Sequence, residues 1–576
     1  MTLCQSNATA QARPEPFRWS RRDAVAAVAD FHDPDAGPRS QRQFAQQQGV
    51  PRSTLQHWLD QAQHPDLDPL LVAFFESPVG LTFLKQLLAA AHLVFHQAGP
   101  SGLRPLLTFF ELAGLAPFVA CSFGTHHALA AHLQELLLRF GAEERQRLGP
   151  AMPPKRITLC EDENFHRTQP CLVAIEPVSN FILVETHQPH RDAATWDQAV
   201  KQATTGLPVT VVQVTSDLAK GLLAHAKDGL GAHHSPDLMH VQQDLHRATG
   251  LPLQKQVQRT QEELQEYREW EQRVALAREA YEQGPSRPGR PPDFAGRLAT
   301  AQAFQDGAQK RLAIREQRQE QVAGAIRGLG DDYHPFDRHS GAAVEVEELR
   351  RRLEARFGVI EAEGEQAALP PSSWPKINKA RRVLPALVAT LAWFWAQTQE
   401  LGRSLALDSA QQEWFEQRVL PAAYWQQAAE RGRDAADRQE LRALAERLQS
   451  TAWSEGARPR GLNAEAERKV RAVAQECVER WVRSSSCVEG RNGLLALRHH
   501  GKHGLSEQRL QALTVLHNYW VKRPDDTTAA ERFFGQKPRD LFAWLLERLP
   551  DPPRPAKRPA KRQPGTPCST ATRPNR

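Results

Sequence analysis

The spacing of apolar positions changes character several times along the chain, and each change predicts a different kind of element. Residues 18–60 read as helical, and their second half, SQRQFAQQQGVPRSTLQHWL (Ser40 to Leu59), divides into two short helices. Ser40 is placed to cap the first of them, Phe44 and Ala45 face inward, and Gly49 makes the turn before Val50. Pro51 suits the first position of the second helix, whose apolar face is Leu55, Trp58 and Leu59. That leaves Arg52, Ser53, Thr54, Gln56 and His57 outward, a set suited to phosphates and base edges, so the segment is expected to be a DNA-binding helix-turn-helix. A plain helical hairpin packed on a neighbour is the competing reading. From Leu70 to Leu148 the chain is apolar and helical and specifies no chemistry.

The period shortens at Lys155. Arg156 to Cys160 reads as a strand ending in the acidic run Glu161-Asp162-Glu163. Cys171 to Ile175 and Phe181 to Glu185 are two further β-rich runs, separated by the turn-like Pro177-Val178-Ser179-Asn180. Asp192 caps a helix that Gly206 ends, Val209 to Val214 is a fourth strand finishing at Thr215-Ser216-Asp217, and a helix follows. Three strands, a helix, a strand and a helix describe the opening of a ribonuclease-H-like α/β domain. Gln254 to Gln283 then returns to helical spacing, with Val257, Leu264, Tyr267, Trp270, Val274 and Tyr281. The linker Gly284 to Asp293 breaks it, and a second helix carries Phe304, Ala308, Leu312, Val322 and Ile326, which predicts an antiparallel coiled-coil hairpin. Seven of the thirteen tryptophans fall between Trp374 and Trp481, an aromatic stripe read as the core of a helical insertion rather than as a ligand site. The expected fold class is therefore an α/β core interrupted by a large all-α insertion, preceded by an all-α helix-turn-helix region.

Charge alters this picture only at one end. The 576 residues contain 73 Lys+Arg against 67 Asp+Glu, a net charge of +6. All of that excess lies between Asp551 and Arg576, where seven basic residues face one acid among seven prolines, so residues 1–550 balance. Such a segment cannot bury enough apolar surface to offset its ordering entropy, and is expected to be a disordered basic arm for nucleic-acid phosphates or for solubility. The longest apolar stretch, Gly80 to Ala98, is interrupted by Lys85, His92 and His96, and no signal peptide is evident; no membrane association is expected. Seven cysteines without a CxxC pair argue against a disulfide scaffold or a zinc ribbon and suit a reducing, cytoplasmic location, nucleoid-associated if the protein is bacterial. The tandem histidines His126-His127, His233-His234 and His499-His500 lack a four-ligand zinc spacing, and no P-loop, dinucleotide fingerprint or Ser-His-Asp pattern occurs.

The candidate chemistry lies in acids at strand ends. Asp162 and Asp217 both follow predicted strands, and in an open α/β sheet such positions border the ligand crevice. Converging carboxylates offer hard oxygen ligands for Mg²⁺ or Mn²⁺, and a third acid completes a two-metal site. Three segments, in order, resemble insertion-sequence transposases of the DDE/D type: ITLCEDENFHR, then VTVVQVTSDLAKGL followed by HHSPDLMHVQQDL, then SSSCVEGRNGLLALRHHGKHGLSE. The resemblance implies a catalytic, metal-binding triad of Asp162, Asp217 and Glu489, successive members standing 55 and 272 positions apart in sequence, with a helical domain inserted before the last. Glu161 or Glu163 competes with Asp162, and Asp237 competes with Asp217. His240, three residues after Asp237, is read as a cap or auxiliary residue. Ser486-Cys487-Val488-Glu489 also fits a capping box, but Gly490, Asn492 and Gly493 are poor helix formers that suit close approach to DNA. Arg491, Asn492, Arg498 and Lys502 are expected on the phosphate path.

The implied function is metal-dependent cleavage and strand transfer of transposon ends. Its partners would be double-stranded DNA, as terminal repeats and target, and further copies of the chain as a homo-oligomer on DNA. A catalytically inactive DNA-binding relative and a nuclease without strand transfer are the alternatives. The expected organisation is a disordered segment (1–17), helix-turn-helix (18–62), helical linker domain (63–150), α/β core (151–245), helical insertion (246–480), last part of the core with Glu489 (481–550) and basic tail (551–576).

Overall fold

A computed structural model describes residues 19–555, except 34, 36, 38, 39, 65, 167, 287, 433, 455, 460 and 503, together with the backbone but not the side chains of 501 and 502. The expected N-terminal disordered segment and all of the basic tail beyond 555 lie outside the described residues. The chain forms two compact units, Met1–Ala151 with Leu497–Arg576, and Met152–Ala496. The division differs from the expected boundaries: it falls inside the helix Ser486–Lys502, so most of the segment 481–550 groups with the N-terminal helices.

In the first unit, Arg21–Phe31, Gln41–Gln47 and Arg52–Gln61 close a small core of Phe44, Leu55, Trp58 and Leu59. Ser40 caps the second helix through the Gln43 amide as expected, and Gly49 turns the chain with φ 67°. Pro51 sits one position earlier than expected, as the cap of the third helix. The apolar stretch Pro78–Ala98 is long and apolar enough to cross a membrane by length and composition, yet 44% of that window is buried within the protein. It is buried because Leu84, Leu88 and Ala91 pack against Leu106, Phe110 and Phe118. The 26-residue helix Phe123–Leu148 holds the unit's C-terminal helices, its Phe140 meeting Tyr519 and Trp544 edge to face.

The second unit contains one five-stranded mixed sheet: β1 (Lys155–His166), β2 (Gln169–Glu176), β3 (Phe181–His187), β4 (Val209–Ser216) and β5 (His233–Pro236), in the order β3-β2-β1-β4-β5. β1–β2 and β2–β3 are antiparallel, whereas β1–β4 and β4–β5 are parallel. Asn180, at φ 63°, turns β2 into β3, and the Glu176 carboxylate accepts the amides of Val178 and Ser179 there. β1 runs through the acidic cluster instead of ending before it. Its parallel pairing stops at Cys160↔Thr215, and from Glu161 to His166 it forms an antiparallel ribbon with β2. β5 carries no sequence signal for a strand, being four residues with two histidines and a proline.

One face of the sheet is covered by the helix Ala193–Thr204, whose Trp196, Ala199 and Val200 pack on Leu159, Leu172, Ala174 and Val184. After β5 the chain is helical to Glu479. Leu238–Glu282 and Phe294–Asp332 form the expected hairpin, shown antiparallel by Gln242–Ile326, Glu263–Arg311 and Glu271–Gln302 contacts at steadily narrowing sequence separation. Later helices build a core on Phe357, Phe394, Phe415 and Trp425. Trp414, Trp425 and Trp481 are buried, so these tryptophans are core residues.

Candidate active site

Strand periodicity decides which acid of the run Glu161-Asp162-Glu163 reaches the crevice. Successive strand residues point to opposite faces. Glu161, wholly buried, lies against His225, and Glu163 takes Arg191 (2.8 Å) and Trp196 Nε1 (3.3 Å), so both belong to the face covered by the helix Ala193–Thr204. Asp162 points the other way. Its Oδ2 accepts Asn492 Nδ2 at 3.0 Å, a contact between residues 330 apart in sequence.

That second face is covered by the helix Ser486–Lys502. Across the sheet from Asp162 the register runs through Val173 to Glu185. Arg491 reaches Glu185 with two hydrogen bonds of 2.7 and 2.6 Å, and both side chains are buried. One turn of helix thus sets Arg491 on Glu185 and Asn492 on Asp162, which fixes where Glu489 stands. Asp162, His240 and Glu489 each offer a ligating atom, and these atoms lie within 4.8 Å of one another.

His240 is the hub of this group. Its Nδ1 is 3.0 Å from Asp237 Oδ2 and its Nε2 is 3.4 Å from Glu489 Oε1. The hydrogen bond to Asp237 raises its pKa to about 9 against the effect of burial, and the fields of Asp237, Asp162 and Glu489 add to that, so the ring is an imidazolium at neutral pH. Asp237 caps the helix Leu238–Glu282 through the Met239 amide at 2.7 Å, and its Oδ2 accepts the amide of Ser485 at 2.9 Å as well as the Ser485 hydroxyl. Burial pushes the Asp237 carboxyl up, but the hydrogen bonds from His240 and Ser485 hold it below the usual range. Both Asp237 oxygens are thus engaged, and the carboxylate supports His240.

Asp217 stands immediately after β4, on the strand next to β1, and its Oδ1 accepts the Ala219 amide at 2.8 Å. It lies outside the 4.8 Å group, whose third member is His240, but it is near enough for its charge to act on Asp162. Burial raises the Asp162 carboxyl to about 6; the Glu163 amide and His240 oppose the shift, whereas Glu489 and Asp217 reinforce it. Removing a carboxylate from water beside two other carboxylates disfavours its charged form. The capping-box reading of Glu489 also gives way. Ser485, not Ser486, precedes the first turn, accepting with its carbonyl the amides of Val488 and Glu489, and the Glu489 carboxylate meets His240.

The expected DNA-facing residues divide. Arg52, Ser53 and His57 are exposed, with Thr54 and Gln56 half-buried and Gln56 donating to Asp60 at 2.8 Å. Arg491 is corrected from a phosphate contact to a buried ion pair, because its Nε and Nη2 both donate to the Glu185 carboxylate and the side chain is buried. Asn492 is half-buried on Asp162. Arg498 donates to the carbonyls of Ala98 and Gly99, which caps the end of the preceding apolar helix. The Lys502 side chain lies outside the described residues. Glu185 and Ser485 were not foreseen; the one sequence signal for Glu185 is a lone acid ending the apolar run FILVE.

A family model described as "Family of unknown function (DUF6399)" matches residues 415–561, a stretch that includes Glu489, Arg491 and Asn492. No curated protein and no solved structure matches the chain.

Proposed function

We propose that the protein is a DNA transposase of the DDE/D type, which cuts and joins DNA ends through Asp162, Asp217 and Glu489. The observation that carries this reading is the meeting of Asp162 and Glu489 in one 4.8 Å group, although a long helical insertion separates them in sequence. The five-stranded sheet, antiparallel on one side of β1 and parallel on the other, is compatible with the expected α/β core and supports it. Asp162 on β1 and Asp217 after β4 come from neighbouring strands, as the reading requires.

The donor set fits a hard divalent cation such as Mg²⁺ or Mn²⁺. Asp162 is a half-buried acid whose anion is disfavoured by its partial removal from water and, to a smaller extent, by Glu489 and Asp217, and the Oδ1 of Asn492 is buried with no hydrogen-bond partner among the described residues. Asp162, Asp217 and Glu489 would hold the cation. Bound there, it supplies Lewis-acid chemistry that activates a water or a 3′-hydroxyl for in-line displacement at phosphorus. The chain's own residues set the stage. Asn492 orients the Asp162 carboxylate, and the Arg491–Glu185 pair seats the helix that carries Glu489. Asp237, held by Ser485 and the Met239 amide, keeps His240 protonated beside Glu489, where it offsets part of the acids' charge.

The test is a cleavage assay on duplex DNA ending in the sequences that flank the gene, with Mg²⁺ or Mn²⁺ and the products resolved on a denaturing gel. The native protein is expected to nick its ends and join them to target DNA. Asp162→Asn, Asp217→Asn and Glu489→Gln are each expected to reduce both steps to background with an unchanged circular dichroism spectrum. Full cleavage by the Glu489→Gln protein overturns the triad, and cleavage without joining reduces the function to that of a nuclease.

A further inference from the structure

A second group of ligating side chains lies on the same sheet and takes no part in the chemistry above. His166 ends β1, Cys171 lies on β2 and His187 ends β3. Cys171 pairs directly with His187 in the β2–β3 register, and with Asn164, two residues before His166, in the β1–β2 register. All three side chains therefore rise from one face at one end of three adjacent strands. Their ligating atoms lie within 4.8 Å of one another, and His166 Nδ1 is 2.8 Å from His187 Nε2. His166 and Cys171 are buried and His187 is half-buried.

We propose that His166, Cys171 and His187 form a zinc site that pins the tips of β1, β2 and β3 together. Zinc is bound at about 2.0–2.1 Å by imidazole nitrogen and about 2.3 Å by thiolate sulfur, so tetrahedral ligands stand roughly 3.4–3.7 Å apart. One thiolate and two imidazoles with no carboxylate select zinc over the hard cations suited to Asp162 and Glu489. Binding releases the Cys171 thiol proton and leaves a fourth position for water. The spacing, four residues then fifteen between ligands, hides the site in the sequence, because no two ligands are neighbours and only the register brings them together.

The location gives the ion a purpose. Beyond Cys160, β1 has lost its parallel partner, and among the described strands it pairs with β2 alone. Asp162 sits in that ribbon, four residues before His166 and on the same face. A metal tying the ribbon's tip to β3 fixes the strand that carries Asp162.

The full-length protein, stripped with a chelator and titrated with Co²⁺, tests this. One equivalent should produce a thiolate-to-cobalt charge-transfer band in the near ultraviolet, which one equivalent of Zn²⁺ bleaches. Cys171→Ser should lose the band, and His187→Ala should lose stoichiometric binding. Asp162→Asn, Glu489→Gln, Cys160→Ala and the Cys4→Ser/Cys568→Ser pair should all keep the band. Absence of the band in the native protein overturns the proposal without recourse to any variant. Its survival in Cys171→Ser, or its loss in Cys160→Ala, assigns the metal to other groups and overturns it equally.

Discussion

Arg491 and Glu185 show how a single pair can be mistaken for something else. Both side chains are almost fully buried, and the guanidinium meets the carboxylate through two parallel hydrogen bonds of 2.7 and 2.6 Å. A buried pair of this geometry adds little over a well-packed apolar pair, but removing one partner strands the other charge at a cost of about 3–5 kcal/mol. Arg491→Ala is therefore expected to destabilise the protein by that amount in urea unfolding, and Arg491→Met with Glu185→Leu to recover most of it. A loss below about 0.5 kcal/mol, the scatter of ordinary surface substitutions, would mean that the pair is not seated as described. From the sequence Arg491 belonged to a basic run after Glu489, because its partner lies 306 residues away and nothing local announces it. The choice among Glu161, Asp162 and Glu163, in contrast, needed only the strand period once β1 was known to continue through all three.

At the scale of elements, legibility followed length and periodicity. The long hairpin repeats apolar residues at helical spacing over many turns, the two short helices Gln41–Gln47 and Arg52–Gln61 carry a cap, a glycine turn and an apolar face, and both segments stand where these signals put them. The four-residue β5 has no period to read and becomes a strand only because Gln213 to Ser216 offer it a partner. The hairpin divides along its length. Leu238 to Leu253 and Val322 to Leu329 belong to the large helical core, whereas Val257, Leu264, Val274, Ala301 and Ala308 are buried outside it, along the paired helices. The outermost tie of the retained hairpin base is Arg311, which donates to the Glu263 carboxylate at 3.1 Å, with Arg315 donating to the Gln256 carbonyl at 3.0 Å beneath it. Replacing residues 264–310 by a short Gly-rich turn is thus expected to leave the core intact. Its melting temperature should move by less than about 4 °C, the shift that roughly 1 kcal/mol produces in a large domain. A collapse of the thermal transition in circular dichroism would show instead that the outer hairpin is part of the cooperative unit.

At the scale of the whole molecule, net charge gains meaning only when the folded boundary is set correctly. Residues 551–554 had been expected in the disordered tail, but they are part of the first unit: the Ala120 amide donates to the Pro553 carbonyl at 2.8 Å, Arg21 donates to the Pro552 carbonyl at 2.8 Å, and Arg554 meets Glu76 at 2.7 Å. Glu76 is buried between Arg21 and Arg554, so Arg554 has a structural task. Once Asp551 and Arg554 count with the body, the chain up to 555 holds 67 basic and 67 acidic residues, and the whole excess of +6 rests on Lys557, Arg558, Lys561, Arg562, Arg573 and Arg576. Two truncations separate the roles. A chain ending at residue 555 should keep its stability but bind duplex DNA more weakly at low salt. Each phosphate contact contributes about 0.9 to the slope of log affinity against log salt, so losing six cations should flatten that slope by at most about 5. A chain ending at residue 550 should show the same slope and also unfold at lower temperature, because Glu76 then keeps a buried charge with one guanidinium removed. If the shorter deletion leaves both affinity and slope unchanged, the basic tail takes no part in the proposed DNA binding, and the exposed Arg52, Ser53 and His57 become the first surface on which to test that proposal.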